Sequence, residues 1–284
     1  MMLLACPVCR GRLAEDSVGL TCAAGHRFEI REGVPLLASE VRPFDRRAEW
    51  EQKQQAAIPE YQTEIDDPES RESASVWTVG RLFGEFWSGD LSRATALDVG
   101  CGPYARQSYF RASWTADRVA RLIGVDPIFR AGQREYEFVQ GVAESLPFAD
   151  SVFDVVLYAT SLDHVAAVDT AMMESARVLK PGGTLAIWVS LFDPGLHKAV
   201  SGALKRVTRQ SLRRPRVLTS YLRVVYALEK SRRVDWRDQY HLHRFELSEL
   251  KGYITRAGFS ITKLLLLDDA VQTVPHAFLR ATRR

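Results

Sequence analysis

The sequence predicts an α/β fold, a largely parallel sheet with helices on both faces, preceded by a small module held together by a metal ion. Two observations carry this expectation. From Ala94 onward, short β-rich apolar runs (TALDVG, RLIGVD, FDVVLYA, TLAIWV) alternate with stretches of helical length, the pattern of a sheet wound with crossover helices. Ahead of them, Cys6, Cys9, Cys22 and His26 follow the spacing C-x2-C, twelve residues, C-x3-H. Two close pairs of soft or borderline ligands brought together by a hairpin complete a tetrahedral structural zinc site. A length of 284 residues accommodates one domain of average size and one small accessory module.

Within residues 1–37, strand-like pieces (GLTC, RFEI) flank the second ligand pair, and Gly11 and Gly25 sit where tight knuckle turns call for positive φ. So short a piece buries too little surface to fold unaided, which makes a metal a source of its stability. The alternative is a loop histidine beside unmetallated cysteines. Cys6-Pro7-x-Cys9, Gly11, Leu13 and the closing Gly33-Val34-Pro35-Leu36-Leu37 resemble the small zinc-binding domain, zinc-ribbon-like, best known from activators of RNA and protein methyltransferases. A closed four-ligand site leaves no position open to substrate, so the zinc is expected to be structural. Losing one ligand is expected to release the ion while sparing events in the rest of the chain.

Residues 38–93 read as a helical linker, polar and interrupted by Pro43, Pro59 and Pro68. EWEQKQQAA reads as a solvated helix. In SVWTVGRLFGEFW, Val76, Val79, Phe83 and Phe86 share one helical face; this predicts either a helix packed on the following domain or an aromatic lid over its pocket.

In residues 94–284 the first strand runs into Gly100-Cys101-Gly102-Pro103-Tyr104-Ala105, and G-x-G-x-x-A alone also fits a dinucleotide fingerprint. Asp98 sits two residues before Gly100. Asp126 closes the second strand, where a carboxylate can accept from both ribose hydroxyls. Arg177-Val178-Leu179-Lys180-Pro181-Gly182-Gly183-Thr184-Leu185 is a helix end and glycine turn leading into a strand. With GVAESLPFADSVFDVV and the closing AGFSITKLLLL and HAFLRAT, these pieces resemble the class I S-adenosylmethionine-dependent methyltransferases of the small-domain type.

The resemblance implies a Rossmann-like seven-stranded methyltransferase sheet. It implies cofactor binding by Asp98, Gly100, Gly102 and Asp126, an adenine wall of Val142, Ala143 and Glu144, and a fourth strand that passes the reactive centre at Tyr158 and Ala159. Two positions depart from the family pattern: Tyr104 replaces the third glycine of the loop, and Val142 stands where an Asp commonly meets the adenine amino group, which would either weaken cofactor affinity or shift that contact to Glu144.

Methyl transfer to a hydroxyl calls for alignment and a base. The candidates are His164, just after the fourth strand, and His241 and His243, which alternate in YHLHRF and on a strand would point to one side. Charge is segregated: Lys198 to Arg237 holds twelve Lys or Arg against Glu229 and Asp235, a balance of +10 against a whole-chain +3. This basic cap, about 195–240, predicts a partner of negative charge: an anionic small-molecule substrate, an RNA backbone, or peripheral contact with an acidic membrane.

The ranking places transfer to a small or medium anionic metabolite first. A ribosomal RNA base methyltransferase is second, since bacterial large-subunit guanine methyltransferases also join such a zinc module to this fold. A non-catalytic scaffold is third. With no run of 18 apolar residues and no signal-peptide pattern, a cytoplasmic protein without a transmembrane segment is expected.

Overall fold

The computed structural model describes residues 3–38, 44–66, 74–89, 91–105, 107–110, 118–129, 134–191, 241–267 and 276–284. The basic cap of about 195–240 lies outside the described residues. Among the described residues, no helix is long and apolar enough to cross a membrane.

The N-terminal module contains a three-stranded antiparallel sheet, β1 (Leu13–Glu15), β2 (Leu20–Cys22) and β3 (Arg27–Phe28), and a hairpin of β4 (Ile30–Arg31) with β5 (Val34–Pro35). Two helices follow, α1 (Arg47–Asp66) and α2 (Ala74–Ser88). The main sheet comprises β6 (Ala94–Val99), β7 (Val119–Asp126), β8 (Glu137–Gln140), β9 (Phe153–Ala159), β10 (Leu179–Ser190), β11 (Phe259–Leu267) and β12 (His276–Arg283), with α3 (Val168–Val178) and α4 (Leu247–Arg256) in the connections. Its order is β8-β7-β6-β9-β10-β12-β11. Neighbours from β8 to β10 are parallel, and β12 runs antiparallel to both β10 and β11. The predicted seven-stranded Rossmann-like sheet and its closing antiparallel hairpin are both present.

The central strands are buried on both faces, which is why they read as continuous apolar runs rather than alternating ones. One face packs against α3, whose Val168, Ala171, Met172, Ser175 and Val178 recur at helical spacing and are buried. The other packs against α2: Phe83, Phe86 and Trp87 are buried with Trp188 and Phe278, and the Phe83 and Phe278 rings stand 5.1 Å apart. Of the two readings for α2, packing on the sheet is the one observed.

The module shares a core with the main domain. Leu13, Leu20, Phe28 and Leu37 belong to the same buried cluster as Phe148 and Phe153. Leu36 bridges Gln140 in parallel and the Leu37 amide donates to the Gln140 carbonyl at 2.8 Å, so the module covers the β8 edge of the sheet. The Ala5 amide donates to the Pro147 carbonyl at 3.0 Å, and Ser145 Oγ to the Pro7 carbonyl at 2.5 Å. Glu174 of α3, buried, accepts from Arg10 at 2.8 Å, Arg177 at 2.7 Å and the Leu146 amide at 3.0 Å. A buried carboxylate is tolerable because both its oxygens are engaged. The module is thereby tied to α3 and to residues 145–148.

Candidate active site and metal centre

β6 leads outward to β7 on one side, while β9 lies on its other side, so the ends of β6 and β9 flank the crevice where strand order reverses. Ligands of open α/β sheets bind there. A cavity of about 450 Å³ occupies this place.

Its floor is the turn after β6. Gly100 has φ +74 and Gly102 φ +67; a Cβ on Gly100 would lie 2.4 Å from Ser161 Cβ. Side chains are excluded there both by conformation and by space. Asp126 braces the turn, Oδ2 accepting from the Gly102 amide at 2.8 Å and Oδ1 from the Ile128 amide at 2.9 Å. Burial pushes this carboxyl up to about 6, against the pull of those two amides and of Arg134. Arg134 donates to the Gly102 and Tyr104 carbonyls at 3.0 and 3.1 Å, locking the turn from the other side.

Asp126, Gly100, Gly102, Val142, Ala143, Glu144 and Ala159 all line the cavity. Asp98 does not: it is wholly buried behind the turn, where Tyr109 Oη donates to Oδ2 at 2.7 Å and Oδ1 accepts no hydrogen bond. Burial, opposed by the Tyr109 hydroxyl and aided by the Asp126 charge, raises its pKa to about 7. Glu144 is committed too, Oε1 accepting from the Ala166 and Ala167 amides at 2.7 and 3.2 Å, ahead of α3. Tyr158 departs from expectation. Strand alternation turns it to the opposite face from Ala159, where its hydroxyl meets Ser175 Oγ at 2.9 Å.

The three histidines separate. His164, ending the 3-10 turn Leu162–His164, lines the cavity. His241 lies behind it, ring centroids 4.4 Å apart, with Nε2 3.6 Å from Asp163 Oδ2. Residues 241–244 do not form the expected strand, because the Leu242 and His243 amides both turn to the Asp163 carbonyl, at 2.8 and 3.1 Å. His243 is drawn away from the cavity: it stacks on Phe245 and places Nε2 3.3 Å from the Ala166 carbonyl, and burial lowers its pKa.

Several cavity residues escaped the sequence reading. Trp50, Gln54 and Tyr61 come from α1, so the helix that read as solvated turns one side toward the pocket. His276, at the start of β12, accepts from Trp188 Nε1 through Nδ1 at 3.2 Å, and both rings line the cavity. HAFLRAT carried only the signal of a strand, so nothing local set that histidine apart.

In the module, Cys6, Cys9, Cys22 and His26 converge, their ligand atoms all within 4.8 Å of one another. Cys9 and Cys22 sulfurs are 3.6 Å apart, and His26 Nδ1 lies 3.6 Å from Cys6 and 3.2 Å from Cys22 sulfur. Ligand atoms on one tetrahedral zinc ion stand about 3.3–3.8 Å apart, given bonds of about 2.0–2.3 Å. Gly25 has the expected positive φ, but in the first knuckle Arg10, at φ 62, takes that conformation. Gly11 is needed for room instead: a Cβ there would lie 3.3 Å from Cys9 sulfur.

Residues 97–187 match the family described as Methyltransferase domain. An uncharacterized methyltransferase of Mycolicibacterium gilvum is 29% identical over 177 residues, 55% of this chain and 68% of that protein. Among solved structures, the 1,6-didemethyltoxoflavin-N1-methyltransferase of Burkholderia thailandensis superposes with a TM-score of 0.56 at 15% identity, covering 88% of this chain and 95% of the other. A chain from the complex of the Haloferax volcanii Trm112 methyltransferase activator gives 0.54 at 14% identity, covering 78% and 97%. At such identities the last two share the fold.

Proposed function

We propose that this S-adenosylmethionine-dependent methyltransferase passes its methyl group to a hydroxyl of a small or medium anionic metabolite. The observation that carries the reading is the composition of one cavity. Trp50 and Tyr61 of the chain's own α1 line the same space as Gly100, Asp126 and His164. A pocket of this size, walled by aromatic side chains with a few polar groups, suits a small acceptor. The basic balance of residues 198–237 supports an anionic one.

When bound, the cofactor supplies an electrophilic methyl group on a positively charged sulfonium. The turn at Gly100 and Gly102, where a Cβ would collide with Ser161 or Tyr104, lines the cavity and would hold the methionine end. Each Asp126 oxygen spends one lone pair on a backbone amide and keeps another for a ribose hydroxyl. Val142 and Ala143 offer apolar contact to the adenine. His164 is the base that faces the acceptor, taking a hydroxyl proton on its imidazole. The four N-terminal ligands hold a structural zinc ion, closed to substrate.

The test is transfer of labelled methyl from S-adenosylmethionine in host extract separated into RNA and low-mass fractions. Label in the low-mass pool is expected. Label in RNA would overturn the metabolite reading in favour of an RNA base methyltransferase, and no label with no cofactor binding would leave a scaffold.

A further inference from the structure

The structure carries a second constellation of metal-ligand chemistry, at the cavity rather than in the module. We propose that Asp163, His164 and His241 form a divalent transition-metal site that binds the methyl acceptor through its oxygens. The inference rests on the methyltransferase reading and names the acceptor's chemistry: a bidentate oxygen ligand such as a vicinal diol or a hydroxy acid.

One donor atom from each residue lies within 4.8 Å of the other two. His241 Nε2 lies 3.6 Å from Asp163 Oδ2, close to the roughly 3.3 Å between two nitrogen or oxygen ligands on a tetrahedral ion. The two imidazoles meet at an intermediate tilt of 45° with centroids 4.4 Å apart, so their planes are not parallel.

The backbone brings these three residues together. Asp163 and His164 are neighbours on the 3-10 turn, closed by the His164 amide on the Ser161 carbonyl at 3.1 Å. The segment bearing His241 is pinned to the same turn by the Leu242 and His243 amides on the Asp163 carbonyl. Asp163 is only 8% exposed, and its Oδ1 accepts no hydrogen bond. A buried carboxylate oxygen left so is costly, and a cation is the partner it lacks.

Two imidazoles and one carboxylate are borderline donors that suit zinc, iron(II), cobalt or nickel. Unlike the module's four-ligand cluster, three ligands leave positions open, and His164 sets them on the cavity. With His164 on the ion, the metal replaces its imidazole in activating the acceptor, and a hydroxyl bound there would lose its proton to solvent near neutral pH. The resulting oxygen lone pair forms the new bond to the methyl carbon, and the carbon–sulfur bond breaks with its electron pair staying on sulfur, which becomes a neutral thioether.

The test is cobalt(II) titration of full-length protein stripped of metal. Cobalt in the cysteine cluster gives intense thiolate charge-transfer absorption, whereas cobalt on two histidines and a carboxylate gives only weak visible bands. Two equivalents are expected for wild type, with His241→Ala and Asp163→Asn each losing the weakly absorbing one and keeping the thiolate bands. S-adenosylmethionine affinity, measured alongside, is expected to stay near wild type in His241→Ala, which reports an intact fold. Wild type taking up only the thiolate-bound equivalent, or both variants retaining two, would overturn the site. Two equivalents without any cofactor affinity would leave the site standing and sink the methyltransferase reading instead.

Discussion

Asp126→Asn separates what Asp126 does for the cofactor from what it costs the empty protein. The carboxyl is buried and its pKa stands at about 6, against about 3.9 for an ordinary aspartate. At about 1.4 kcal/mol per unit, keeping it ionised at pH 8 costs the cofactor-free fold about 3 kcal/mol. The sign follows from a folded pKa raised above the unfolded one. The stabilisation is fully present below about 4 and is lost as pH rises through about 6.

Asparagine removes that dependence, and it also relieves Asp98, which the Asp126 charge pushes up. It sacrifices one charged acceptor for the Gly102 or Ile128 amide, a loss of about 1–3 kcal/mol at every pH. Relative to wild type, the variant is therefore expected to gain about 3 kcal/mol between pH 3 and pH 8, a swing of roughly 6–12 °C in melting temperature. Cofactor affinity moves the other way, weaker by about 1–3 kcal/mol at pH 8 by calorimetry, while wild-type affinity falls as pH drops through about 6. A melting-temperature gap that does not change with pH, or an unchanged affinity, would refute the reasoning.

Tyr109→Phe strips Asp98 of the hydroxyl bonded to Oδ2; unfolding in urea should show a loss of about 1–3 kcal/mol. The loss should be larger at pH 8 than at pH 5, because a carboxyl raised to about 7 contributes stability that disappears as pH rises through that value; equal losses would count against it. Gly100→Ala places a Cβ 2.4 Å from Ser161 Cβ at φ +74, so cofactor affinity should collapse and Ser161→Gly in the same chain should restore part of it; wild-type affinity in the single variant would remove the turn from the site. Cys22→Ser should abolish bound zinc by elemental analysis, and unchanged content would sink the metal assignment. Because residues 145–147 lean on the module, it should also weaken cofactor binding by about 0.5–2 kcal/mol, rather than sparing it as the sequence suggested.

What could be read in advance had local causes. Apolar runs buried on both faces announced β6, β7, β9 and β10, and ligand spacing announced the quartet Cys6, Cys9, Cys22 and His26. Asp126 was legible because it ends the strand that follows the glycine turn. The rest depends on where distant segments meet. Trp50, Gln54 and Tyr61 reach the cavity only because α1 crosses it, and an amphipathic signal was absent from that helix. His276 matters through Trp188, 88 residues away in sequence. His241 and His243 looked equivalent by spacing, and only the turn onto Asp163 sends one against the His164 ring and the other into packing against Phe245.

The shared core between module and sheet has a consequence for biosynthesis. Residues 1–37 leave the ribosome first, yet Gln140, Phe148 and Glu174, on which they rest, are translated more than a hundred residues later. At about 5–20 residues per second that is an interval of roughly 5–30 s. Over that interval Leu37 has no β8 to pair with, and the four ligands, holding zinc as proposed, would be the nascent segment's own means of staying compact. With the proposed zinc bound there, metal supply during translation would bear on how much of this protein reaches its native state.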